Sequence, residues 1–274
     1  MTKEKENEII NGLEKLLANS TRHSEIIERY EKKILALENP RLSIYFAANV
    51  EGANVKEHER IVLKANNPEY SYYFTLKVNK ADKFAHCKVV ADSKNPMYCF
   101  NFAQDIKGAN IKALELGLLM ANNEEYSYLF SKYIKGANIL AHEHVVINSK
   151  NPEYCYLFAQ WIYGAVIEPL EEVVINSGDP KWCYKFARDV KGANIEKLQE
   201  VVINSGDPEM CYHFASNVKG ADLYRLSKVI NKSKMYRELF EHALSYDDRD
   251  QLNFIITEEI SKKAKRKAKT NKSN

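Results

Sequence analysis

The sequence predicts an all-α protein, a right-handed α-solenoid of tandem helical hairpins, and three observations carry that expectation. Asn39, Asn67, Asn95, Asn123, Asn151, Asp179 and Asp207 recur every 28 residues without an insertion, and all but Asn123 precede a proline. Phe46, Phe74, Phe102, Phe130, Phe158, Phe186 and Phe214 hold one fixed place in the same period. Each copy also carries two stretches with apolar residues at helical spacing, separated in six copies by a glycine. A fixed period of this length marks stacked supersecondary units, none of which can bury its apolar face alone.

Numbering each copy from 1 to 28, position 1 is Asn or Asp and position 2 is usually Pro, a side-chain N-cap followed by a residue already set at helical φ. A first helix therefore starts there. Position 14 is Gly52, Gly108, Gly136, Gly164, Gly192 and Gly220, expected as the left-handed C′ residue that stops this helix. Lys80 takes its place in the second copy, where the turn is expected to be strained or differently shaped. Position 16 is Asn54, Asp82, Asn110, Asn138, Asn194 or Asp222, which caps a second helix, and Val166 breaks this rule. On the first helix, positions 4, 5, 8, 9 and 12 form one stripe, with the phenylalanines at position 8 as a spine. On the second, positions 17, 20, 23 and 24 form the matching stripe, as in Ile195, Leu198, Val201 and Val202.

An array of this kind needs terminal units that hide its open faces. Residues 1–38 are expected to form an N-terminal helical cap, 39–234 seven 28-residue repeats, 235–262 a C-terminal helical cap, and 263–274 a disordered basic tail. In general form the chain resembles the αα-solenoid class that includes HEAT, TPR and Sel1-like helical-hairpin repeats. That resemblance implies stacked hairpins and carries over no site residues.

Composition narrows the function. The net charge is +3, but residues 261–274 hold seven cations and no acid, which leaves the rest of the chain at −4. The basic character belongs to the tail. No long apolar run and no signal-peptide pattern appear, so a cytoplasmic location without membrane contact is expected. Abundant Lys, Asn, Ile and Tyr suit a low-GC bacterial, phage or viral genome. Phosphate-loop, dinucleotide, nucleophile-elbow, zinc-protease and EF-hand motifs are missing, so neither an enzyme nor a cofactor is expected.

His58, His86 and His142 all fall at position 20, where the remaining copies have leucine, and read as packed core histidines. His142 and His144 are two apart on a helix and do not share a face, which is poor geometry for one metal ion. Cys99, Cys155, Cys183 and Cys211 share position 5 with serines and read as small core residues rather than disulfide partners, and Cys87 is uninformative.

The binding candidates form a column at position 6: Tyr72, Phe100, Tyr128, Tyr156, Tyr184 and Tyr212, with Ile44 in the first copy. It lies about 160° from the phenylalanine spine. Two readings stay open: an outward aromatic stripe that engages a partner, joined by Trp161, Lys135 and Lys191, or rings that lie against the next repeat and hold the stack together. A protein partner is the expectation, with adaptor or inhibitor as the role, one version being a phage or bacterial factor acting on a host protein. The alternative partner is nucleic acid, with rings stacking on bases and Lys107, Lys132, Lys135, Arg188, Lys191 and Lys219 meeting phosphates. No small-molecule substrate is evident.

Overall fold

The structure, a computed structural model, describes residues 2–19 and 24–244. Those residues are helical, with seventeen helices packed in adjacent pairs and no strand among them. The chain divides into two compact units, residues 1–145 and 146–274. The first holds α1 (Lys3–Asn19), α2 (Ser24–Ala36), α3 (Pro40–Asn49), α4 (Val55–Lys64), α5 (Pro68–Lys77), α6 (Lys83–Asp92), α7 (Pro96–Asp105), α8 (Ile111–Ala121) and α9 (Glu124–Tyr133), and α10 (Ile139–Ser149) begins there. The second holds α11 (Pro152–Trp161), α12 (Ile167–Asn176), α13 (Pro180–Asp189), α14 (Ile195–Ser205), α15 (Pro208–Asn217), α16 (Leu223–Ile230) and α17 (Lys234–Ala243). The expected basic tail, and the C-terminal cap beyond Leu244, lie outside the described residues.

The caps form as the residue types dictate. Each position-1 Asn or Asp accepts a backbone N–H of the first helical turn through its side chain, as Asn39 Oδ1 does from Leu42 at 3.0 Å. Val166 has no side-chain cap to offer, and α12 starts without one. The first-helix exit differs from the expected glycine C′. The helix ends at position 11, a buried Val or Ile at position 12 turns to extended backbone, and glycine follows two residues later with φ between 83° and 89°. The extended turn lets Val50, Ile106 or Val190 drop its side chain into the core while it still donates to the position-8 carbonyl. Lys80 takes no left-handed φ, and its turn keeps the Ala81 N–H to Val78 carbonyl bond at 3.1 Å. Left-handed residues instead close the second helices: Asn66, Lys94 and Asn122 in the first unit, Gly178 and Gly206 in the second.

In the first unit the spine residues Phe46, Phe74, Phe102 and Phe130 are at most 1% exposed. Leu13 and Ile34, from α1 and α2, share one core with Leu42, Phe46 and Val50, so these two helices cover the open face of the first hairpin. Each further core draws residues from successive hairpins, as Ile44 and Val62 meet Phe74 and Val78. In the second unit Phe158, Phe186 and Phe214 are fully buried, with Leu170, Val174, Leu198 and Val202 opposite them.

One junction is tighter than its period predicts. At position 23, where other copies have Ile61 or Val201, α8 has Gly117. A Cβ there would lie 2.4 Å from the backbone oxygen of Ala91 on α6. Backbone cannot swing aside as a side chain can, so Gly117→Ala is expected to lower the unfolding free energy by about 1–3 kcal/mol despite alanine's better helix propensity. Gly12→Ala on α1, where nothing lies within 4 Å of the added carbon, is expected to raise it by about 1 kcal/mol. Urea unfolding of both variants checks this, and equal stabilisation by both would contradict the close approach.

Candidate interaction surface

The position-6 column is not an outward stripe. Tyr72, Phe100, Tyr128 and Tyr156 are 7–8% exposed and Ile44 is buried with them, while Tyr184 and Tyr212 are half-buried. The physical reason is that a first helix in a stack has two neighbours: its own second helix on the phenylalanine side and the next first helix on the opposite side. Tyr72 donates its hydroxyl to Asp105 at 2.5 Å and lies 6.0 Å from the Tyr98 ring. Phe100, which has no hydroxyl, meets the rings of Tyr126 and Tyr133 at 6.2 and 6.4 Å. In the second unit Tyr156 donates to Asp189 at 2.6 Å and contacts Trp182, Tyr184 meets His213 and Phe214, and Tyr212 meets Tyr236. Burial, reinforced by the Asp189 carboxylate, pushes the Tyr156 phenol up to about 12. The ring therefore stays a donor at neutral pH.

The other candidates divide by exposure. Trp161 is 56% exposed, and Lys135 and Lys191 are exposed as well. Of the cations assigned to phosphates, Lys132 donates to the Tyr128 hydroxyl at 2.8 Å, and Arg188 grips both oxygens of Asp189. Those two are committed within the fold.

The sequence reading overlooked a set of exposed apolar residues on the second helices of the first unit. Phe84 on α6, Leu116 and Met120 on α8, and Leu140 on α10 are 72%, 62%, 57% and 65% exposed. They stand at positions 18, 22 and 26, one helical face, where other copies have Lys56, Lys112, Arg60, Lys88 or Lys64. No core demands these apolar side chains. The signal was present in the sequence as apolar residues in columns that are mostly charged or polar.

The position-20 histidines sit in the core. The rings of His58, His86 and His142 lie 5.0–5.1 Å from Phe46, Phe74 and Phe130, and all three are fully buried. The Nε2 atoms of His58 and His142 are 3.2 Å from Glu31 and Glu115, and His86 Nε2 is 3.3 Å from Glu59 without the alignment of a hydrogen bond. These glutamates have a second role. Glu31, Glu59 and Glu115 each accept the backbone N–H of the cap residue 23 positions on, Asn54, Asp82 and Asn138, at 2.6 Å. Glu171 does the same for Asn194 at 2.5 Å, and Gln199 for Asp222 at 2.7 Å.

The cysteines at position 5 are buried, and each Sγ–H points back to a second-helix carbonyl, Cys99 to Val90 at 3.5 Å and Cys183 to Val174 at 3.6 Å. Burial raises the Cys99 and Cys183 thiols to about 12, which keeps them protonated. His142 is buried and His144 exposed, so they face different surroundings. No group of three metal-ligating side chains forms among the described residues, and no described helix is long and apolar enough to cross a membrane.

Burial also sets an acid limit. Desolvation lowers the His86 pKa from 6.5 to about 4. The unfolded chain then binds this proton first, so stability is complete above pH 6.5 and falls as pH drops toward 4. The loss from this one residue is about 3 kcal/mol at most. His86→Leu, the residue most copies use here, is expected to flatten the pH dependence of the urea midpoint between pH 6.5 and 4, and an unchanged slope would contradict the assignment.

Comparison with protein-family models, with curated proteins and with solved structures finds no match.

Proposed function

We propose that the chain is a non-enzymatic protein-binding scaffold, an adaptor or inhibitor, built as a right-handed α-solenoid of seven 28-residue hairpins. The observation that supports this reading is the exposed apolar face of the second helices in the first unit, Phe84, Leu116, Met120 and Leu140, in columns where most other copies have charged or polar residues. Full burial of one such side chain stabilises by about 1.5–3 kcal/mol, so a partner covering this face gains what folding left unused. Stacked hairpins keep such a face rigid, and little ordering entropy is lost on binding.

A second reading, nucleic-acid binding, draws on Lys181 and Lys185, whose ammonium groups lie 5.2 and 4.3 Å from the Trp182 ring centre in the second unit. The net charge of −4 outside the tail argues against it.

Affinity capture from lysate, run with and without nuclease, separates the two. The comparison is between the native chain and a Phe84→Lys, Leu116→Lys, Leu140→Lys variant, which copies onto these sites the lysines that other copies carry in the same columns. A discrete protein retained through nuclease treatment and lost in the variant is the expected outcome. Recovery of nucleic acid alone, with salt-dependent loss, would replace the protein reading by its rival.

A further inference from the structure

In three places position 6 of one copy meets position 11 of the next, and the residue pairs match. Tyr72 faces Asp105 and Tyr156 faces Asp189, each a hydroxyl donor on a carboxylate. Phe100, with no hydroxyl, faces the Tyr133 ring. The pair Ile44 and Lys77 breaks the pattern: the ring is missing, and the facing residue is a cation. At that place the first unit has an open cleft of about 380 Å³ between α1, α3 and α5. Ile10 and Ile44 line it with Tyr45, Tyr70 and Tyr73, and Arg41, Asn49, Glu69 and Lys77 complete its wall.

The charges around the cleft are unequally committed. Arg41 pairs with Glu6 at 3.2 Å and with Asn7, while burial and then the nearby Glu69 carboxylate raise the pKa of the Tyr98 phenol. Tyr45 donates to Glu14 at 3.3 Å. Lys77 pairs with no carboxylate among the described residues and lies 5.7 Å from the centre of the Tyr73 ring. The chain itself thus shows what fills the equivalent gap elsewhere, a planar ring with a polar end aimed at position 11. Here that end must be an acceptor, because Lys77 only donates.

We infer that this cleft takes an aromatic side chain with an adjacent carboxylate from a protein partner, the ring entering between Tyr45 and Tyr73 and the carboxylate meeting Lys77. This deepens the scaffold reading and rests on it. Its volume lies in the range of ligand pockets, and its walls combine apolar and aromatic surface with one unpaired cation, the composition such a group needs.

The probe is N-acetyl-Ala-Phe with a free C-terminal carboxylate, titrated into the full-length chain by NMR beside its C-terminal amide. The free acid is expected to shift signals of Ile44, Tyr45 and Tyr73, and the amide to bind at least tenfold more weakly. Lys77→Ala, a surface change, is expected to weaken the acid tenfold and leave the amide unchanged. Ile44→Tyr, which restores the ring most other copies have, is expected to fill the cleft and abolish binding with the fold intact. Equal binding of acid and amide, shifts confined to other residues, or full binding by Ile44→Tyr would overturn the inference. A protein captured through the Phe84, Leu116 and Leu140 face without any peptide response would overturn the cleft alone and leave the scaffold reading standing.

Discussion

The structure depends on one hydrogen bond repeated along the chain: a position-21 side-chain oxygen that accepts the backbone N–H of the next hairpin's cap residue. Glu31, Glu59 and Glu115 supply it in the first unit, Glu171 and Gln199 in the second. The cap residues are exposed, so water competes for that N–H, and each bond contributes about 0.5–1.5 kcal/mol net, rising to about 1.5–3 where the acceptor is a carboxylate. The bond also sets spacing, since a glutamate of fixed length joins one second helix to the start of the next. Burial raises the pKa of Glu59 and Glu171, opposed by the amide bond, so the carboxylates are retained at an electrostatic cost that the paired amide offsets in part.

The exception shows the rule's mechanics. Position 21 of the second copy is Cys87, whose short side chain reaches the Asn110 carbonyl at 3.9 Å and cannot bridge to the amide. At this same junction Gly117 removes the side chain that would hold α8 away from Ala91. Where the spacer shortens, the helices close. The histidines follow the same logic: His58, His86 and His142 appear where the preceding position 21 is glutamate, and their imidazoles sit between that carboxylate and the phenylalanine spine.

Much of this fold was legible because its determinants are local. Asn-Pro caps, the phenylalanine at position 8 and the small residue at position 5 each act within one hairpin and repeat without an insertion. What escaped was set between hairpins. A helical wheel assigns one buried face, so the position-6 rings, opposite the spine, stayed open between an outward stripe and packing on the next repeat, which only the second neighbouring helix decides. Position 21 drew no reading of its own, although Glu31, Glu59, Glu115 and Glu171 recur in register. The glycine falls one residue later than the expected C′, at C″, because a β-branched residue at position 12 turns to extended backbone and ends the helix early. Among the site candidates, the exposed residues were readable only by comparing columns, since Phe84 and Leu140 are unremarkable as single residues and conspicuous beside Lys56 and Lys112.

The most direct test is amide hydrogen exchange at Asn194 in Glu171→Ala and Glu171→Gln, in the second unit where no position-20 histidine complicates the junction. Glu171→Gln is expected to keep the Asn194 N–H protected, because Gln199 already holds Asp222 in this way. Glu171→Ala is expected to expose it and to lower the unfolding free energy by about 1–3 kcal/mol. Unchanged protection and stability in Glu171→Ala would show that the stack is held in register by apolar packing alone.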